Sequence, residues 1–282
     1  DVKVPYTANF VGTPNNGDIY CPIYFGALPL SNNNDKYNLL GNPYASAVDA
    51  ELFLSDPANT PIIDGTIYFW THNSPPSASN VDPFYGDFII NYAANDYASW
   101  NRLGGTGTTA AAGSGGAVPN GFIASGQGFF AKSTGTATSG DAVVFKNSMR
   151  VNFNNDMFFR SSIVDANSNR SQSNTSEKHR LWLNLINQGG SFNQILVGYA
   201  DGASDDYDRA FDGVRFTDNN SITLYSIVED KNLVIQGKAL PFSDLDQVPL
   251  GYKSTLNDTF SIRIDHFDGL FDNQNIYLED RL

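Results

Sequence analysis

Five aspartates in one stretch are the residues best placed to do chemistry. Asp201, Asp205, Asp206, Asp208 and Asp212 fall between Tyr199 and Gly213, with Arg209 among them. Calcium takes several hard oxygen ligands, and clustered carboxylates in a loop supply them. The five are therefore a candidate calcium site. They fit equally a solvated turn in which Arg209 pairs one carboxylate. A second stretch, Asp165-Ala166-Asn167-Ser168-Asn169, opens like an EF-hand loop. Arg170 stands where that loop needs glycine and Ser176 where it needs a bidentate Glu, so the match goes no further.

Aromatic side chains offer a different chemistry. Sugar rings stack on the faces of Trp and Tyr while neighbouring Asn and Asp bind hydroxyls. Trp70, Tyr92, Tyr97 and Trp100 lie near Asn- and Asp-rich stretches and are the candidate glycan platform. Aromatics in a strand-rich protein also fill its core, and either role fits these four.

Catalytic patterns are missing. Ser125 in Ala124-Ser125-Gly126-Gln127-Gly128 lacks the glycine two residues before it that a nucleophile elbow requires. The three histidines, His72, His179 and His266, form no spacing with it. With 30 acidic residues some pair of carboxylates always lies close, and no pair stands out as a glycosidase acid and base. Gly104-Gly105-Thr106-Gly107 has neither phosphate-loop nor dinucleotide spacing, and no Cys/His cluster offers a zinc site. No catalytic residue is assigned, and the chain is expected not to be an enzyme.

The elements that would position these residues are strands. The chain of 282 residues carries 20 Phe, 14 Tyr and 3 Trp, with 25 Gly and few charged residues, a composition that suits strands and turns better than helices. Arg180 to Ile186 and Phe192 to Tyr199 flank Gly189-Gly190 and predict a hairpin. Ile222 to Val228 and Leu233 to Gln236 predict a second one around Glu229-Asp230-Lys231-Asn232. Phe260, Ile262 and Ile264 alternate with Ser261, Arg263 and Asp265, the pattern of a half-buried antiparallel strand. Ile19 to Phe25, Gly65 to His72, Gly128 to Lys132 and Ala142 to Phe145 read as strands in the first part of the chain. One short helix is predicted over Asp49 to Leu54, with Ser46 or Asp49 as its N-cap. Gly104 to Gly116 reads as a loop. The fold class is all-β, as two antiparallel β-sandwich domains (jelly-roll or Ig-like) in tandem. The first covers residues 1–164 and has long loops, the second covers 179–282, and the polar stretch 165–178 is the linker.

The formal net charge of −13 repels phosphate backbones and anionic lipid surfaces, so neither nucleic acid nor membrane is an expected partner. No apolar run is long enough to span a bilayer as a helix. Cys21, the single cysteine, sits in an apolar run and is expected to be a small buried hydrophobe. A start at Asp1 rather than Met points to removal of an N-terminal segment.

Several strings taken together resemble a known family. Tyr37-Asn38-Leu39-Leu40-Gly41-Asn42-Pro43-Tyr44, Ile123-Ala124-Ser125-Gly126-Gln127-Gly128-Phe129-Phe130, Arg180-Leu181-Trp182-Leu183-Asn184-Leu185, Phe211-Asp212-Gly213, Ala239-Leu240-Pro241-Phe242, Val248-Pro249-Leu250-Gly251-Tyr252 and Ile276-Tyr277-Leu278-Glu279-Asp280 occur in the order found in large secreted surface proteins of Bacteroidetes. Ala45 departs from that pattern, which has Pro at this position. The resemblance implies the region before a type IX secretion sorting domain, which would begin after Leu282. It implies export to the outer cell surface or beyond, in adhesin-like and filament-forming proteins, and names neither ligand nor active site. The expected function is a non-catalytic extracellular adhesion or assembly module whose partners are its own copies or neighbouring modules. The alternative is a calcium-assisted carbohydrate-binding module of a larger polysaccharide-degrading protein, with glycans as partners.

Overall fold

The computed structural model describes residues 9, 11–24, 36–71, 96–108, 118–138, 140–152, 154–155, 159, 176–216 and 221–280. The linker residues 165–175, the EF-hand-like stretch, His72 and Tyr92 lie outside these. The regular secondary structure of the described chain is nearly all strand, as expected, and most neighbouring strands run antiparallel.

The N-terminal half contains three small sheets. Strands β2 (Tyr37–Gly41), β7 (Gly128–Ser133), β4 (Ile63–Trp70) and β5 (Tyr97–Trp100) form a four-stranded antiparallel sheet in that order. Strands β6 (Phe122–Ile123), β3 (Ala47–Asp49) and β9 (Arg150–Val151) form a second, and β1 (Ile19–Pro22) pairs with β8 (Ala142–Phe145) in a third. Helix α1 (Ala50–Ser55) begins where the Asp49 carboxylate accepts the N–H groups of Glu51 at 2.8 Å and Leu52 at 3.2 Å. Asp49, not Ser46, is thus its N-cap. Alternation along the four strands sends Ile67, Phe69, Ala98, Trp100, Phe129 and Ala131 into a core shared with α1. There Phe53 stacks on Phe145, with ring centres 4.5 Å apart. Cys21 is half-buried against this core and its thiol pKa is raised by burial.

Two of the family-like strings form one clamp. Buried Asn42 donates its amide to the carbonyls of Ser46, Ile123 and Ala124 at 2.8–3.1 Å and accepts the N–H of Tyr44 at 2.9 Å. One side chain thereby satisfies four backbone groups of a buried turn. The opposing turn places Gly126 at φ 70°, where a side chain would be strained, and Ser125 donates to the Tyr44 carbonyl at 2.8 Å.

The C-terminal half is one seven-stranded mixed sheet. Its order is β15 (Leu250–Ser254), β13 (Ile222–Val228), β14 (Lys231–Ala239), β11 (Phe192–Ala200), β10 (Lys178–Asn187) and β16 (Phe260–Phe267), with β12 (Gly213–Val214) on β14. Both predicted hairpins form. The strand alternation in 260–265 also holds until a bulge, because Trp182 faces His266 while Leu183 faces Ile264, leaving Asp265 as the extra residue. The expectation of purely antiparallel sheets is corrected at β11 and β14, which pair in parallel from Leu196–Ile235 to Ala200–Ala239. A parallel pair cannot be closed by a tight turn. The chain passes from β11 to β14 by way of β12 and β13, and the acidic stretch is the first part of this crossing.

No described strand of one half pairs with a strand of the other. The halves are nevertheless packed together rather than held apart. Leu103 from the N-terminal half shares one buried cluster with Trp182, Leu196, Ala200, Phe211 and Ile235. The Trp182 indole donates to the Gly105 carbonyl at 2.8 Å, and the Gly107 N–H donates to Gln194 Oε1 at 2.7 Å. On the outer face of the four-stranded sheet, Phe216 lies against Tyr37, Tyr68, Tyr97 and Phe130. Tyr68 donates its hydroxyl to the Val214 carbonyl at 2.7 Å. A Cβ on Gly65 would fall 2.1 Å from the Arg209 carbonyl oxygen, so the backbones meet where glycine alone fits.

This shared cluster predicts cooperative unfolding. Leu103→Ala removes a fully buried side chain from it and is expected to cost about 2–5 kcal/mol. Chemical denaturation followed by tryptophan fluorescence and by far-ultraviolet circular dichroism should show one coincident transition, shifted as a whole. Two transitions of which only one moves would contradict the shared core.

Candidate functional site at the junction of the halves

The crossing from β11 to β14 lies at the junction, and its aspartates have separate structural tasks. Asp205 accepts from Lys238 Nζ at 2.8 Å, which holds its carboxyl below the usual range. Asp208 Oδ1 accepts the Ala210 N–H at 2.9 Å. Asp212 is buried and spans two segments: Oδ1 accepts the Gly237 N–H at 2.9 Å and Oδ2 accepts the Asp208 N–H at 2.7 Å. Asp201 and Asp206 are exposed. The expected calcium cluster of Asp201, Asp205, Asp206, Asp208 and Asp212 therefore does not converge. Among the described residues no group of three or more His, Cys, Asp or Glu side chains is arranged to hold a metal ion. Arg209, expected to pair within the loop, instead lies 3.8 Å from Asp64 on β4.

What the crossing builds is a cleft of about 450 Å³ between the halves. Its lining includes Leu54 of α1 and Ile63 of β4, both nearly fully buried, and Tyr207, Asp208 and Arg209 from the crossing. Arg102 closes one side, with its guanidinium 5.0 Å over the Phe211 ring. Its Nε lies 3.7 Å from Glu51, too far for a hydrogen bond, and is buried with no hydrogen-bond partner. Burial raises the pKa of Asp64, against the pull of Lys132 and Arg209. The two arginines stand 107 positions apart and follow no motif, so reading the sequence did not find them. Arg102 sits just before Gly104-Gly105, where the chain bends toward β10, and that glycine pair was the only local signal.

The aromatic platform is corrected as well. Trp100 is 2% exposed and belongs to the N-terminal core. Tyr97 is packed by Phe216 at 4.3 Å, and burial pushes its hydroxyl pKa up to about 12. Trp70 is half-buried on the same strand pair, and Tyr92 lies outside the described residues. No platform of exposed rings is assembled by Trp70, Tyr97 and Trp100. Two described histidines have structural contacts: His179 Nδ1 accepts the Leu270 N–H at 3.1 Å, and His266 stacks on Trp182 at 3.9 Å.

Asp212 makes the fold sensitive to pH. Burial raises its pKa to about 7, although two N–H donors favour the charged form. The unfolded chain releases this proton near pH 4, the folded chain only near pH 7. Between these values the folded state binds more protons, so the Asp212 contribution falls as pH rises from about 4 to about 7 and is constant above. The slope for one proton is at most about 1.4 kcal/mol per pH unit. Asp212→Asn should flatten this slope and cost about 1–3 kcal/mol at neutral pH, because one N–H loses its acceptor. Urea midpoints measured from pH 4.5 to 8 check both effects, and parallel pH profiles for the two proteins would contradict the assignment.

Comparison with known proteins gives a family and no function. No curated protein and no solved structure matches the chain. The family described as "Domain of unknown function (DUF8693)" matches residues 1–282, the whole length. The chain belongs to that family.

Proposed function

We propose that the chain is a non-catalytic extracellular module that assembles through the edges of its large sheet. One observation carries this reading. The seven-stranded sheet ends in β15 and β16, and β16 is an eight-residue edge with Ile264 47% and Phe267 43% exposed. Tyr252 on β15 is exposed too, as are Tyr277 and Leu278 beyond β16. An edge strand presents unpaired N–H and C=O groups, and long apolar edges invite pairing with another chain. Proteins that must stay monomeric blunt such edges with charge, proline or cover, and the outer part of β16 has only Arg263 and Asp265 to do so. The partner is a second copy or a neighbouring module, joined by strand addition.

The resemblance to secreted surface proteins of Bacteroidetes supports export by the type IX route and display at or beyond the outer cell surface. The absence of catalytic spacing in the sequence fits a binding role. The strongly acidic surface fits a soluble, displayed protein.

Sedimentation and negative-stain electron microscopy test the reading. The chain should self-associate with rising concentration, and the double variant Ile264→Lys/Phe267→Lys should weaken association by about tenfold or more without unfolding. A chain that stays monomeric at its highest soluble concentration, and forms no filaments, would contradict assembly through this edge.

A further inference from the structure

The cleft between the halves has hydrogen-bonding groups that the fold leaves unused. Arg102 Nε is buried without a partner, and the guanidiniums of Arg102 and Arg209 approach Glu51 and Asp64 only to 3.7 and 3.8 Å. A shielded donor without an acceptor is costly, and native proteins keep few of them. Asp208, also in the lining, accepts one backbone N–H through Oδ1, and among the described residues no hydrogen bond reaches its second oxygen. The aromatic side chain of Tyr207 also lines the cleft, where Leu54 and Ile63 are only 4% and 2% exposed. Forked donors, a free carboxylate oxygen and an aromatic surface together match a ring that carries vicinal hydroxyls on its rim and C–H groups on its face.

Charge decides between a neutral and an anionic occupant. Arg102 and Arg209 stand against Glu51, Asp64 and Asp208. With Asp64 protonated the two signs cancel, and with Asp64 ionised the cleft is negative. It has no positive excess for a phosphate, a sulfate or a uronate, and the whole chain, at −13, repels anions. The volume of about 450 Å³ lies within the range of small-molecule sites, which favour interfaces between folded units.

We propose that the junction cleft binds a neutral saccharide of mono- or disaccharide size, with Arg102 and Arg209 as hydrogen-bond donors and Asp208 as acceptor. The site is separate from the sheet edges β15 and β16, so it stands or falls independently of assembly. It gives a displayed module a way to hold a glycan surface at a place that none of the exposed-aromatic candidates occupies.

The test uses the full chain on a glycan array carrying neutral, uronate-bearing and sulfated oligosaccharides, followed by titration calorimetry with the best neutral one. Neutral oligosaccharides should bind. Arg209→Gln, at a half-exposed position, should weaken binding by about tenfold or more with an unchanged melting temperature. Arg102→Lys, which keeps the charge and loses the fork, should weaken it as well. Arg102→Ala is less informative because the guanidinium also covers Phe211. Binding of acidic glycans alone, binding of none, or affinities unmoved by both Arg209→Gln and Arg102→Lys would each overturn the proposal.

Discussion

Two adjacent strands that run in the same direction cannot be joined by a short turn. β11 and β14 are such a pair, and the chain leaves the sheet after Ala200, touches it at β12 and returns through β13, whose hairpin brings in β14. The excursion is what unites the molecule. It carries Phe211 into the cluster with Leu103 and Trp182, and Phe216 onto the aromatic face of the four-stranded sheet. Asp212 fixes its course by accepting one N–H from the crossing itself and one from β14. A buried carboxylate is expensive, and two backbone donors offset that cost only in part, since burial still raises the Asp212 pKa.

This constraint explains which features could be read from the sequence. Hairpins depend on neighbours in the chain, so Gly189-Gly190 announced the β10–β11 pair and Glu229-Asp230 the β13–β14 pair. The N-cap role of Asp49 is equally local. The alternation in β16 was visible up to Ile264, but the bulge at Asp265 was not, because it answers to Trp182 on another strand. Parallel pairing has no local signature, so the purely antiparallel expectation failed there. The aspartates looked like a ligand set because the sequence shows their proximity along the chain. It does not show that Lys238 pairs with Asp205 or that Gly237 meets Asp212. Whether Trp100 and Tyr97 were core or surface rings stayed open for the same reason, since their cover comes from the N-terminal core and from Phe216.

No described strand pairs across the two halves, and the contact between them was not legible in the sequence. A run of polar residues looks like a linker whether or not the elements beside it touch. Part of the contact is made by Leu103 and by Gly105 and Gly107, small or isolated residues just before and within the stretch that reads as a loop. A polar chain extends it to the far edge of the sheet: Gln194 donates to Asn184 at 2.8 Å, and Asn184 donates to Asp265 at 2.9 Å. The same docking creates the cleft with Arg102 and Arg209. Outward-facing strand edges and an inward-facing cleft are therefore both present in one packing arrangement.

Native-state hydrogen exchange, resolved by peptide, tests the central claim that the crossing makes the halves one cooperative unit. Amides of β4, β7, β10, β11 and β14 should open through a common global transition of equal free energy, and Phe211→Ala should lower that value in both halves alike. Lower and unaltered protection in the N-terminal strands, with the change confined to β11 and β14, would contradict it.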